Sequence, residues 1–361
     1  MKKKMYGVLI LIGCLIASVC SMQEVFAAED ENKLGYVVEP LQPSTQIDPE
    51  TSYFYIKTTP GETQTLKVRV TSTIKEKVQL RIYGVDASTK EGVIEYTEDE
   101  KNKDDTLKEP LSSLLKVGTP EITVGNFEEK TVDIQVTAPK EHYDGVKMGA
   151  IVIEKVPDKK KKQGMATKYN YTIGLITSEN GDEFTNGKTL KLNEAKATIS
   201  HGKKMVVAQL QNPEPKMIDK LNIVATMINK ETGKVAKEKT VQNYRIAPNS
   251  HFDFELDWGV NDLAAGKYTL KLEAKNNNEE WHLSKDFEIT SDEAKEINET
   301  SVFKIQTPTW LKVTSVLLGI ISLVLMGSLF YRRKKWEKAW KRLRIAKKKK
   351  KKKKGRSKNK K

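Results

Sequence analysis

Val313 to Tyr331 is a run of 19 residues without a charge, and it constrains this chain more than any other feature. At ~1.5 Å per residue, a helix of that length reaches about 28 Å, the thickness of a bilayer's hydrocarbon core. Trp310 and Tyr331 bracket the run as interfacial aromatics, and Arg332, Arg333, Lys334 and Lys335 follow at once. These six residues predict a membrane anchor over 313–331, with the tail 332–361 on the cytoplasmic side. A buried core helix is the competing reading, but nothing foldable follows to bury it.

The other end reads as an export signal over 1–28. Lys2, Lys3 and Lys4 precede an apolar stretch from Met5 to Cys20, and Ala27-Ala28 offers a cleavage site before Glu29-Asp30-Glu31. Leu11-Ile12-Gly13-Cys14 has lipobox residue types, but the sequence after Cys14 stays apolar where a mature lipoprotein turns polar. Both cysteines, Cys14 and Cys20, lie in this signal, so the mature chain is expected to hold neither a disulfide nor a thiolate metal site.

Charge follows the same division. The chain is +15 overall, but residues 332–361 carry 20 Lys and Arg against one acid, Glu337. Residues 29–331 then come to −6, which excludes a basic globular domain, and no nucleic-acid partner is expected. In the tail, Trp336, Trp340 and Leu343 recur at helical spacing among bases, as in a helix lying on the inner leaflet. Lys347 to Lys354 repels itself and is expected to be unfolded, drawn to anionic lipid, with RNA or an acidic cytosolic partner as the sharper alternative.

Between the ends the hydrophobic period is two. Leu66, Val68 and Val70 alternate with Lys67 and Arg69; Val132, Ile134 and Val136 alternate with Asp133 and Gln135; Tyr268, Leu270, Leu272 and Ala274 behave alike. With turn formers such as Pro60-Gly61 and Ala265-Gly266, this predicts an all-β fold: two tandem immunoglobulin-like β-sandwich domains, with a closed barrel as the alternative architecture. The domains are placed at 33–158 and 165–290, divided by the charged loop Lys159 to Gly164, and followed by a stalk over 291–312 in which Glu293 to Asn298 reads as one helical turn. Whether Tyr169 to Thr177 closes the first sandwich or opens the second stays open. Thr97 to Pro120 is a long insertion, polar and then apolar at Leu107, Leu111, Leu114 and Leu115. It reads as a short helix plugging one end of the core, with a binding element as the alternative.

No catalytic or cofactor motif is present. The histidines, His142, His201, His251 and His282, are scattered, and neither a metalloprotease, nucleophile-elbow, P-loop nor dinucleotide signature occurs. Glu98-Asp99-Glu100 and Asp104-Asp105 lack the spacing of a Ca²⁺ loop and read as solvated charge. The exported body is expected to be a binding module, not an enzyme, with no cofactor.

Specific segments resemble the WxL-interacting proteins of Gram-positive cell surfaces. In the first unit these are Val38-Glu39-Pro40, Pro43 to Gln46, Ser52 to Ile56, Thr59 to Glu62, Asp86 to Thr89, Gly92 to Tyr96, and Ala138-Pro139 before Tyr143-Asp144-Gly145-Val146-Lys147-Met148-Gly149-Ala150. The family's Gly-Gly stands here as Gly149-Ala150. The second unit carries Ala247 to Ser250, Ala265 to Thr269 and Trp281 before Phe287 to Ile289. The resemblance implies a membrane-anchored surface adaptor: a peptidoglycan-binding first domain, a host-binding second domain facing extracellular-matrix protein, and a WxL-domain partner. Gln46, Tyr143 and Asp144 are the expected glycan contacts, since sugars favour an aromatic face beside polar groups. The competing function is a chaperone-like module that captures an exported chain by strand addition at a sheet edge; an extracellular hydrolase ranks below both.

Overall fold

The computed structural model describes residues 34–98, 103–157, 169–305 and 308–358. The export signal, the loop from Lys159 to Gly164 and the acidic Asp99-Glu100 lie outside the described residues. The alternating segments form the expected strands. In β3 (Thr63–Ser72) Leu66, Val68 and Val70 are wholly buried, and they meet Ile134, Val132 and Lys130 of β8 (Glu129–Thr137) in antiparallel register. With β1 (Tyr36–Leu41) on one side and β6 (Leu115–Val117) on the other, this makes a four-stranded sheet ordered β1-β3-β8-β6. Pro40 sits in β1, an edge strand, where a missing N–H costs no ladder bond.

The facing sheet is built from β2 (Phe54–Lys57), β4 (Val78–Lys90), β5 (Val93–Tyr96), β9 (Lys147–Lys155) and β10 (Asn170–Ser178), ordered β2-β10-β9-β4-β5, with β7 (Glu121–Val124) paired to β4. β10 answers the open question about Tyr169 to Thr177. It pairs antiparallel with β9 and parallel with β2, so it closes the first sandwich. By strand pairing the first sandwich thus extends through Ser178. Long-range pairing decides this, and residue pattern along the chain does not encode it.

The second sandwich packs β11 (Lys191–Ser200), β12 (Lys203–Asn212) and β15 (Ser250–Asp257) against β14 (Val235–Ile246), β13 (Ile218–Asn229), β16 (Gly266–Lys275) and β17 (Glu280–Ile289), ordered β11-β12-β15 and β14-β13-β16-β17. Its core holds Tyr268, Leu270, Leu272 and Ala274 of β16, with Trp258 edge-on to Tyr268.

Two connecting segments follow from local chemistry. In the insertion, α1 (Leu111–Leu114) buries Leu111 in the first core beside Leu114 and Leu115, which is the plug that its leucines predict. Gly149 permits this: a Cβ there would meet the Val85 carbonyl and stand 2.9 Å from Leu111. Beyond β17, residues 291–300 were expected as stalk. They form α2 (Ser291–Thr300) instead, and its Ala294 and Ile297 complete the second core. A capping box starts it: the Thr290 N–H donates to Glu293 Oε2 at 2.8 Å, and the Glu293 N–H donates to Thr290 Oγ1 at 3.2 Å.

The C-terminal segment is α3 (Thr309–Lys358), with a stretch from Thr309 to Arg342 long and apolar enough to cross a membrane. Its apolar side chains, Val316, Leu323 and Phe330 among them, are exposed. The helix exceeds the expected 313–331, and it continues through the lysine run expected to be unfolded. Lysine is a good helix former, and extending an existing helix avoids the cost of a new nucleus.

Candidate functional site

The expected glycan residues are best placed from their hydrogen bonds. Gln46 forms an isolated bridge with Ile56, and its side chain is used within the loop before β2. Its Nε2 donates to the carbonyls of Asp48 (2.9 Å) and Tyr53 (3.0 Å) and to Thr51 Oγ1 (3.1 Å), while Oε1 accepts from the Tyr55 N–H at 3.3 Å. Tyr143 lies past the other end of β2, where its hydroxyl bonds Thr58 Oγ1 (3.1 Å) and Thr177 Oγ1 (3.0 Å) and its N–H donates to the buried Glu179 at 3.1 Å. Burial pushes the Tyr143 phenol up, against those two hydroxyl bonds. Lys147 Nζ stands 5.0 Å from the Tyr143 ring centre. Asp144 is exposed. Gln46 and Tyr143 thus serve opposite ends of one strand and share no partner.

The same strand also shapes a second surface. Phe54 and Ile56 enter the first core, so Tyr53 and Tyr55 project from the opposite face of the sheet. That opposite face is itself apolar. Met148, Ala150 and Val152 of β9 alternate with the core residues Ile151 and Ile153, which is why β9 is buried from Met148 through Glu154. β5 folds back over part of this face, with Tyr96 against Val85, Ala150 and Val152. The second sandwich covers another part: Met217 and Ala247 join Tyr55, Ala87, Val146, Met148 and Ile176 in one small core.

Polar contacts fix the two sandwiches to each other around that core. Thr89 Oγ1 lies 2.8 Å from Ser250 Oγ and accepts from the Ala247 N–H at 2.9 Å. The Arg245 N–H donates to the Gly92 carbonyl at 2.8 Å, and the Val146 N–H to the Pro215 carbonyl at 2.8 Å. Gly145 precedes that bond at φ +75°, with Pro215 O 2.5 Å from where a Cβ would stand. The polar half of the insertion adds Asp104, whose carboxylate is 1% exposed. It accepts from His251 Nδ1 at 2.8 Å and from Gln211 Nε2 at 2.9 Å, besides the Thr106 N–H and hydroxyl. Burial raises the Asp104 carboxyl, but the Thr106, His251 and Gln211 bonds outweigh it and hold it below the usual range. The insertion is therefore both plug and inter-sandwich clamp. Among the described residues no cluster of three His, Cys, Asp or Glu side chains is placed to hold a metal.

Between the β5 flap and the second sandwich the apolar face stays open as a cleft of about 620 Å³, within the ~300–1,000 Å³ common for ligand sites. Tyr53, Tyr96, Thr172, Gly174, Met148 and Phe184 line it, with Met217 and Arg245 from the second sandwich. Its signal in the sequence was the pair Tyr53 and Tyr55, aromatics on a strand whose other face, Phe54 and Ile56, supplies the core.

Residues 36–155 match the family model of the WxL Interacting Protein peptidoglycan binding domain, and residues 160–299 that of the WxL Interacting Protein host binding domain. The second match begins ahead of β10, so the segment assigned to the host-binding domain supplies a strand to the first sandwich. No curated protein matches the chain. Among solved structures, the YadV chaperone is similar at 14% identity and TM-score 0.30, covering 71% of this chain and 100% of that one. The Pseudomonas aeruginosa CupB2 chaperone (16%, TM-score 0.26, 63% and 92%) and the E. coli chaperone DraB (17%, TM-score 0.26, 65% and 94%) are similar at the same level. At these scores the likeness carries no functional weight. The two adjoining domain matches span most of the β-structured chain, and the chain belongs to the WxL-interacting protein family.

Proposed function

We propose that this protein is a membrane-anchored adaptor on the surface of a Gram-positive cell. Its first domain holds peptidoglycan, its second a host matrix protein, and it works beside a co-exported WxL-domain protein. The adjoining peptidoglycan-binding and host-binding domain matches carry this reading. The exposed apolar stretch of α3, followed by Arg332 to Lys335, supports anchoring with the tail inside and both sandwiches facing the wall. The signal over 1–28 accounts for export. A non-enzymatic role agrees with two binding domains and with a body that offers no recognisable catalytic motif.

Co-sedimentation with purified sacculi tests the central claim. Residues 29–305, which end before α3, are expected to pellet with Gram-positive sacculi and to remain bound in moderate salt, because a body at −7 has no general attraction to anionic wall polymers. Absence from the pellet at low salt overturns the peptidoglycan half of the proposal.

A further inference from the structure

Two tyrosines in the cleft have hydroxyls that no group among the described residues satisfies. Tyr53 and Tyr96 are half-buried, come from β5 and the segment entering β2, and carry no hydrogen bond at their phenols. Burial and then Tyr53 push the Tyr96 phenol up, while burial and then Asp48 push that of Tyr53 up. A half-covered ring beside an unpaired hydroxyl matches a sugar, which offers an apolar C–H face and a rim of donors and acceptors.

Charge narrows the ligand further. Of the 16 lining residues only Arg245 is charged, and its Nε lies 3.0 Å from Asp219 Oδ1. A stem peptide or phosphate polymer would bring carboxylates or phosphates to a cleft without an uncommitted cation, whereas a neutral glycan brings none. Resting on the peptidoglycan reading above, we infer that this cleft binds the glycan strand through its N-acetylated amino sugars, with Tyr53 and Tyr96 as the contacts. Gln46 then acts as a positioning residue, since its amide pins the Tyr53 carbonyl and the Tyr55 N–H. Gly174 leaves room for Tyr53: a Cβ there would stand 3.4 Å from that residue's own.

The test uses the full chain in detergent micelles, titrated with uncharged oligomeric strands of N-acetylglucosamine and, separately, with free stem peptides. Tyr53→Ala and Tyr96→Ala are each expected to weaken glycan binding at least about tenfold, the loss of one stacked ring and its hydrogen bond. Tyr96→Phe should lose less, since the ring remains. Thr172→Glu on the exposed face of β10 crowds the cleft without removing a core contact, and it reads the site even where a tyrosine variant fails to fold. Stem peptides should neither bind nor compete. If wild type binds neither the strands nor whole sacculi, the peptidoglycan reading itself fails. If wild type binds and the folded variants bind equally well, or stem peptides compete, the cleft assignment is overturned.

Discussion

Asp104 shows how much one side chain can bear when it is buried with full hydrogen bonding. Its carboxylate serves two segments of the second sandwich through His251 and Gln211, and it shapes its own loop through Thr106. Removing it leaves buried donors without an acceptor, so Asp104→Ala should cost about 2–4 kcal/mol in denaturant unfolding. Asp104→Asn keeps the shape but loses the charge, and it should cost less. The pH dependence has a defined sign. The folded carboxyl titrates below its ordinary value of 3.8, so its contribution is complete above that value and is lost as pH falls through the folded one. Wild type and Asp104→Asn should therefore differ most near neutrality and converge as pH falls from 3.8 through the lower folded value. A constant gap from pH 7 to pH 3 would show that charge plays no part in the clamp.

Strand β10 and helix α2 both fall outside the elements that composition marks, for different reasons. β10 contributes Ile173 and Leu175 to the first core and fills the space between β2 and β9. A fragment of residues 34–157 loses both side chains, at roughly 1.5–3 kcal/mol each, and exposes an edge of β9 buried on both faces. It should aggregate, whereas residues 34–187 should melt cooperatively; equal melting temperatures for the two fragments would remove β10 from the first sandwich. For α2, Ile297→Ala is expected to lower stability by about 2–4 kcal/mol, as a core truncation does, where a free stalk would give under about 0.5 kcal/mol. What the sequence discloses follows from this contrast. Strands with one buried face, such as β3 and β8, announce themselves because alternation is the imprint of that burial. The capping box Thr290-x-x-Glu293 was equally local and readable, and the polarity around it hid the two apolar positions that dock. The ownership of β10 was not readable, because it rests on pairing with β2, more than a hundred residues earlier. The cleft was hidden likewise, since Tyr53 and Tyr96 become neighbours only when the sheet forms and β5 folds over it.

Over the whole molecule, charge and apolar surface together bear on the proposed orientation. Residues 29–331 are mildly acidic, the described apolar stretch of α3 is exposed along its length, and the bases are concentrated after Tyr331. Each Lys or Arg held near an anionic inner leaflet contributes about 1 kcal/mol, so the Arg332 to Lys335 group alone favours a cytoplasmic tail strongly over the reverse. The native cysteines, Cys14 and Cys20, both precede the expected cleavage site, which leaves the mature chain free for single-cysteine labelling. Asn277→Cys lies in the exposed turn before β17, and Ser357→Cys lies near the end of α3. With a membrane-impermeant maleimide on wall-stripped intact cells, Asn277→Cys should label fully, and Ser357→Cys only after the membrane is opened. Labelling of Ser357→Cys on sealed cells would put the tail outside, and both sandwiches could then no longer be held against the wall by this anchor. The same measurement on a variant with Arg332, Arg333, Lys334 and Lys335 changed to Gln separates the two sources of orientation. An unchanged pattern assigns the topology to the N-terminal signal and the remaining lysines; a mixed pattern assigns it to those four bases.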